Sequence, residues 1–124
     1  MHVLDTAEGK VLKVQDGKLQ TVANLLTGLD NFAFNDKDEI FVSSYADGSI
    51  LKINGDKTEE ILPAGISHPG GLAVYKDSLI VADIQSVRAF NIDDKNQEWV
   101  LRNIFRASPL GANTSAAILD DHVL

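Results

Sequence analysis

The chain lacks cysteine altogether and contains little proline, methionine or aromatic side chain. Without cysteine there is no disulfide framework, no thiolate zinc site and no cysteine nucleophile. No apolar run approaches the roughly 18 residues that a membrane-spanning helix needs. The first residues have neither a basic region nor a long apolar segment, so we predict no signal peptide. These absences indicate a soluble protein and leave its compartment open.

The side chains carry an excess of negative charge. Eleven Lys and Arg residues stand against 18 Asp and Glu residues, which gives a net charge of −7. Nucleic-acid binders need basic surfaces that neutralise phosphates, and membrane-surface segments are rich in Lys and Arg. We therefore expect neither a nucleic acid nor a membrane as partner. The length of 124 residues, 44% of them hydrophobic, is sufficient for one globular domain.

Three stretches of the chain resemble one another at a regular spacing of about 40 residues. A gapless alignment assigns Val14, Ile53 and Ile92 to one position of the repeat. It assigns three polar residues to another position, namely Asp5, Ser44 and Asp83. A second element recurs at residues 32–34, 72–74 and 116–118. Two independent elements with nearly the same period indicate a repeat protein.

Each repeat consists of short predicted strands separated by turns. Residues 79–82 are apolar on both faces, as in a strand covered on both sides. Residues 50–53 alternate and lead into Asn54-Gly55, which predicts a two-residue hairpin turn. Residues 58–62 are more polar. Four antiparallel strands of decreasing apolarity in each repeat are typical of a β-propeller blade, so we predict an all-β propeller of four-stranded blades.

The repeats divide the chain into three blades' worth of sequence. We expect a partial blade over about 1–27, blades over 28–66 and 67–110, and the inner strand of a further blade over 111–124. Propellers of this kind close with about six blades, so the chain supplies half a ring. It is either a piece of a longer propeller or a half-ring closed by a second copy through strand exchange. We favour a homodimer, because residues 122–124 repeat residues 2–4 and an open half would expose strand edges.

Three segments of the third repeat resemble an NHL repeat. They are residues 67–74 (SHPGGLAV), 79–83 (LIVAD) and 87–91 (VRAFN). The same layout is shared by senescence-marker-protein/gluconolactonase-like and strictosidine-synthase-like propellers. The repeat over 28–66 departs from the pattern, with Asp30-Asn31 where the family has glycine and Ser49 where the third repeat has Arg88. The resemblance implies a propeller, with Arg88 bridging adjacent blades, and it leaves the activity open because such folds host many functions.

The candidate binding residues immediately precede the predicted inner strands, where a propeller has the mouth of its channel. They are Asp30 and Asn31 in one repeat and Asn113 and Thr114 in another, whereas Gly70 and Gly71 offer no ligand atom. In gluconolactonase-like relatives, Asp, Asn and Glu oxygens near the mouth hold a cation such as calcium. The resemblance thus implies Asp30 and Asn31 as metal ligands. The alternative is that this pair caps a turn.

Catalytic candidates are few, because the chain has no nucleophile elbow, phosphate-binding loop or zinc-protease motif. His68 could serve as a general base, or it could be a solvated loop histidine. Asp83 could act at the mouth, or it could accept hydrogen bonds from its own turn. Enzyme status therefore stays open.

Three functions remain under consideration at this point. The first is a non-catalytic module that binds a small ligand or a protein at the channel mouth. The second, implied by the resemblance, is a metal-dependent lactonase or esterase. The third is an RNA-binding NHL platform, which the net charge of −7 disfavours.

Overall fold

The computed structural model describes residues 1–62, 66–93, 98–106, 118–119 and 122–123. These residues form strands and turns and contain no helix, so the all-β prediction is confirmed. A membrane-spanning helix is accordingly not found within those ranges.

The described strands are numbered in chain order. They are β1 (His2–Asp5), β2 (Lys10–Gln15), β3 (Lys18–Asn24), β4 (Leu29–Phe34), β5 (Ile40–Ser44), β6 (Ser49–Asn54), β7 (Lys57–Leu62), β8 (Leu72–Tyr75), β9 (Ser78–Ala82), β10 (Ser86–Asp93), β11 (Glu98–Arg106), β12 (Ile118–Leu119) and β13 (His122–Val123). All the strand pairs are antiparallel.

Strands that follow one another along the chain are hydrogen-bonded neighbours in each sheet. Sheet A consists of β1, β2 and β3, sheet B of β4 to β7, and sheet C of β8 to β11. The first strand of sheet B, β4, contacts both β1 of sheet A and β8 of sheet C. The pair β12 and β13 forms a separate two-stranded unit, the C-terminal hairpin.

Strand β5 lies at the centre of the packing. All five of its residues are buried. Phe41 belongs to a cluster shared with sheet C, whereas Ile40 and Val42 belong to a cluster shared with sheet A. A strand that is covered on both faces has to be apolar on both, which explains the apolar run Ile40-Phe41-Val42 at the start of β5. The last strand of sheet B, β7, exposes its first four residues and is correspondingly polar.

The hydrophobic core consists of two clusters, one on each side of sheet B. The cluster between sheets A and B contains Val11, Leu29, Ile40, Val42 and Ile53. The cluster between sheets B and C contains Phe41, Ile50, Leu62, Ile66, Leu72, Leu79, Val81 and Phe90. Burying each such side chain contributes about 1.5–3 kcal/mol, so face-to-face sheet contact is the main stabilising interaction.

The strand register corrects the gapless alignment of the third repeat. Ile40 lies opposite Ile53, whereas Leu79, which that alignment places at the position of Ile40, lies opposite Phe90. The third repeat is therefore shorter by two positions between its second and third strands. Phe90, which is 7% exposed in the core, is the counterpart of Ile53. The assignment of Ile92 to that position was wrong.

The C-terminal hairpin repeats the backbone pairing at the start of sheet C. Ile118 pairs with Val123 and Leu119 with His122, as Val74 pairs with Leu79 and Tyr75 with Ser78. Each of the four residues in the hairpin lies the same number of positions after its counterpart in sheet C. The hairpin thus has the register of the first two strands of another sheet.

The β1–β2 turn requires glycine at position 9. Gly9 has a φ of 66°, and a Cβ there would lie 2.5 Å from the carbonyl oxygen of Leu26. We expect Gly9→Ala to lower the free energy of unfolding by about 2 kcal/mol or more, because conformational strain and a backbone clash combine. Urea denaturation followed by circular dichroism measures this.

Gly17 provides the control for this substitution. It has a φ of 70° in the β2–β3 turn, but a Cβ there would meet no atom within 4 Å. Gly17→Ala should therefore lower the free energy of unfolding by the conformational strain alone, about 1 kcal/mol. Equal losses for the two variants would contradict the clash at Gly9.

Candidate functional site

The candidate residues that the structure describes, Asp30, Asn31, His68 and Asp83, lie at one end of the sheets, which we call the mouth end. It contains the β1–β2, β5–β6 and β9–β10 turns and the connections into β4 and β8. The Ala46 N–H donates to the Gly28 carbonyl at 3.1 Å, and the Ile84 N–H donates to the Ser67 carbonyl at 3.2 Å. Gly28 and Ser67 each lie in the connection that leads into the first strand of the next sheet. The same contact between connection and turn therefore occurs in two successive repeats.

Asp30 and Asn31 lie inside β4, at a β-bulge, rather than before the strand. The pairing with β5 shifts between Leu29 and Phe32, so β4 contains an extra residue at this point. Asn31 is half-buried, and its side-chain oxygen accepts the Phe32 N–H at 2.7 Å. Asp30 is exposed. The pair shapes the strand locally and leaves the Asp30 carboxylate open to solvent.

Ser43 connects these positions, and the sequence interpretation missed it. Its hydroxyl accepts the Asn31 N–H at 3.0 Å and donates to the Gly70 carbonyl at 2.7 Å. Ser43 is 0% exposed, and Gly70 belongs to the connection into β8. One hydroxyl thus joins sheet B to the start of sheet C. The sequence signal for Ser43 was a serine near the end of a strand that begins with apolar residues, at the position where the next repeat has Ala82.

We expect Ser43→Ala to lower the free energy of unfolding by about 1–3 kcal/mol. The substitution leaves the Asn31 N–H and the Gly70 carbonyl without the partner they share, and the bond to Gly70 is buried. Urea denaturation monitored by circular dichroism gives the value.

Ser44→Ala is the matched control for this change. Ser44 is also buried, at 1% exposure, but its hydroxyl donates to the exposed Asp47 at 3.1 Å. Its removal should cost less than about 1 kcal/mol. The joining role of Ser43 would be refuted if the two alanine variants were equally stable.

The three residues that share the end of the second strand all bind the residue three positions later. Asp5 accepts the Glu8 N–H at 3.0 Å, Ser44 donates to Asp47 at 3.1 Å, and Asp83 accepts the Ser86 N–H at 2.7 Å. Asp83 thus accepts a hydrogen bond from its own turn, as its alternative describes, and Asp5 does the same, whereas Ser44 binds a side chain. A catalytic role for Asp83 stays a prediction.

Asp83 is the most buried of the three, at 0% exposure. Its Oδ1 accepts hydrogen bonds from the N–H groups of Gln85 and Ser86, at 2.8 and 2.7 Å. Its Oδ2 accepts no hydrogen bond but lies 3.4 Å from Nη2 of Arg88. Arg88 also donates from Nε to the Ser86 hydroxyl at 2.9 Å. The polar contacts of Arg88 thus lie within sheet C, in contrast to the expected bridge between blades.

His68 lies in the connection into β8, where it is exposed and has a φ of 54°. Its ring packs on the ring of Tyr45, with centroids 4.8 Å apart. Tyr45 belongs to the β5–β6 turn and is 45% exposed. In the part of the chain that the structure describes, no carboxylate forms an ion pair with His68. The general-base hypothesis therefore lacks the orienting partner that such histidines use.

The calcium hypothesis rests on oxygen ligands at the mouth end. Asn113 and Thr114 lie outside the described residues, so only Asp30 and Asn31 can be placed. Over the described ranges, no group of three or more His, Cys, Asp or Glu side chains is arranged to hold a metal ion. The metal assignment of Asp30 and Asn31 remains a prediction.

Two shifted side-chain pKa values lie in and near sheet A. Burial lowers the pKa of His2, and the positive charges of the terminal amino group and Lys13 add to the effect. The His2 ring packs on Phe34, with centroids 4.9 Å apart. The pKa of Lys10 is raised by its hydrogen bond to Glu8 and by the charge of that carboxylate. Neither pair involves the residues proposed for binding.

No protein-family model and no curated protein matches the sequence. The resemblance of residues 67–91 to NHL-repeat and gluconolactonase-like propellers consequently stays a prediction. The function has to be argued from the contacts of the mouth end itself.

Proposed function

We propose that the chain is a non-catalytic module that binds a small ligand or a protein segment at the mouth end. The supporting observation is that some polar groups there are buried and bound within the protein, whereas others are exposed. Ser43, Ser44 and Asp83 are buried, and their hydrogen bonds hold turns and strands of the protein itself. The exposed groups there include Asp30 and the Tyr45–His68 ring pair. Rigid polar and aromatic groups without a catalytic pair suit recognition rather than bond cleavage.

A positively charged group is the natural occupant of this surface. The Asp30 carboxylate is exposed, and the aromatic faces of Tyr45 and His68 lie at the same end of the sheets. Carboxylates attract cations directly, and the face of a tyrosine ring attracts them through its quadrupole. The net charge of −7 adds a long-range attraction for basic partners.

The proposed architecture is the propeller, with sheets A, B and C as successive blades. Two consecutive four-stranded antiparallel meanders support it, as does the packing of their first strands, β4 and β8. Within the described ranges, sheet A has three strands and no strand pairs with the other edge of β1. We propose that β12 of a second copy supplies this strand and pairs with β1 in place of β13, in the register in which β8 pairs with β9.

The pairing of two copies predicts the mass of the particle. The chain of 13.4 kDa should elute at twice its mass, about 27 kDa, in size-exclusion chromatography with light scattering. A well-behaved monomer at micromolar concentration would exclude the second copy, and it would leave the ligand-binding proposal unaffected.

Nuclear magnetic resonance titration with N-acetyl-arginine methylamide tests the binding proposal. We expect saturable shifts of the backbone amides of Asp30, Tyr45 and His68 and an affinity weakened about tenfold by Asp30→Asn. Asp47→Asn, at an exposed carboxylate that already accepts the Ser44 hydroxyl, is the control and should bind normally. Calcium chloride is titrated in parallel. Saturable calcium shifts at Asp30 and Asn31, with hydrolysis of a simple lactone, would replace the proposal by the metal-dependent enzyme.

A further inference from the structure

A cleft of about 310 Å³ separates sheets B and C at the end opposite the mouth. Its apolar part is formed by Phe41, Trp99 and Val74. The rings of Phe41 and Trp99 meet edge to face, with centroids 5.7 Å apart. An engineered cavity of about 150 Å³ is large enough to bind benzene. This cleft therefore has room for one aromatic ring and its polar substituents.

The rim of the cleft carries balanced charge. Among the described residues that line it, three are lysines and three are carboxylates, namely Lys37, Lys52, Lys76, Asp36, Glu39 and Asp77. A ligand with a single charge gains attraction from one set of these groups and repulsion from the other. A zwitterion is attracted by both sets, so the rim favours a ligand that carries one ammonium and one carboxylate group.

Lys52 is the best-positioned rim group for a ligand carboxylate. Its side chain is only 20% exposed, and its Nζ lies 3.5 Å from Glu39 and 3.8 Å from Glu59. Both contacts are longer than a normal hydrogen bond, and an ammonium group has three hydrogens to donate. Glu39 is itself held by Asn35 at 2.6 Å and Asn54 at 3.2 Å. The Lys52 ammonium is thus placed at the rim with donor capacity remaining.

The equivalent cleft between sheets A and B differs in its charged and its aromatic residues. It is lined by Lys13, the counterpart of Lys52, but by a single carboxylate, Asp38. Phe34 stands one repeat earlier at the position of Val74, and its ring contacts the His2 ring. The smaller Val74 leaves the half-buried Trp99 indole accessible to a ligand ring, and the buried Phe41 supports that indole edge to face, whereas Phe34 supplies a ring of its own.

We propose that the cleft between sheets B and C binds a small aromatic zwitterion of the aromatic amino acid class. The ring lies against Trp99 and Val74, the carboxylate is bound by Lys52, and the ammonium group is bound by the rim carboxylates. This site is separate from the mouth end and does not depend on the function proposed for that end.

Fluorescence of Trp99, the only tryptophan of the chain, reports occupation of the cleft. Titration with L-phenylalanine should change its emission saturably in the millimolar range. 2-Phenylethylamine and 3-phenylpropionate, each lacking one charge, should bind about tenfold more weakly. No response to L-phenylalanine, or equal binding of all three compounds, would overturn the proposal.

Three variants place the binding in this cleft and test its charged contact. Val74→Phe should abolish the response, because it introduces the ring that Phe34 provides in the equivalent cleft. Phe34→Val alters only the equivalent cleft and should leave the response unchanged, with circular dichroism verifying that both variants fold. Lys52→Met should weaken L-phenylalanine and 3-phenylpropionate about tenfold and leave 2-phenylethylamine unaffected. Binding of L-phenylalanine that persists in Val74→Phe would contradict the site.

Discussion

Phe41→Ala will lower the free energy of unfolding by about 3–5 kcal/mol. Phe41 is 1% exposed, lies in the central strand β5 and packs edge to face on Trp99 of sheet C. The substitution removes a large apolar side chain and leaves a cavity in the cluster between sheets B and C. Domains of this size have total stabilities of about 5–15 kcal/mol, so the variant should be close to unfolding at room temperature.

The measurement is urea denaturation at room temperature, followed by circular dichroism. Trp99 fluorescence is unsuitable as the probe, because Phe41 contacts the indole in the folded protein. Phe105→Ala provides the control, since Phe105 is 62% exposed and its loss should change stability by no more than about 0.5 kcal/mol. A loss below about 2 kcal/mol for Phe41→Ala would show that sheets B and C do not pack around this side chain.

Asp83→Ala should cost about 3 kcal/mol, although it removes no apolar contact. The N–H groups of Gln85 and Ser86 lose their acceptor, and the partly buried Arg88 loses the carboxylate that lies 3.4 Å away. Unsatisfied buried donors cost about 1–3 kcal/mol, and removing one partner of a buried ion pair adds to this. Because Arg88 is 22% exposed, we place the total loss of unfolding free energy at the lower end of the range for buried ion pairs.

Two further variants isolate the origin of this loss. Asp5→Ala, at the matching position of the first repeat, should cost at most about 1 kcal/mol, because the Glu8 N–H that it frees is exposed to water. Adding Arg88→Met to Asp83→Ala should recover part of the stability, since it removes the unpaired guanidinium. If Arg88→Met destabilises the protein equally in both backgrounds, the ion pair has no part in the effect.

The strand pattern was predictable because it depends on local periodicity. The apolar run 79–82 lies in β9, and the polar run 58–62 lies in β7, as expected for a covered and an outer strand. The turn at Asn54-Gly55 begins one residue later than predicted, because Asn54 pairs with Lys57. The side-chain amide of Asn54 instead donates to Glu39, the residue before β5. Such a shift depends on the neighbouring strand and not on the turn residues themselves.

Two features of the mouth end were beyond the reach of sequence reasoning. The bulge in β4 sets Asp30 and Asn31 inside the strand, and its existence depends on the register against β5. The third repeat is shorter by two positions between β9 and β10, which a gapless alignment cannot reveal. Both features depend on pairing between residues that are distant along the chain, and hydrogen-bond register decides that pairing.

The amino-acid sequence by itself determined that this protein is built from short antiparallel strands repeated at intervals of about 40 residues. Apolar alternation and turn residues act over a few positions, so they can be read without knowledge of the fold. Only the tertiary structure decided what the polar groups do. Ser43 and Asp83 became structural because packing removed them from water, which obliged each to find a partner within the protein.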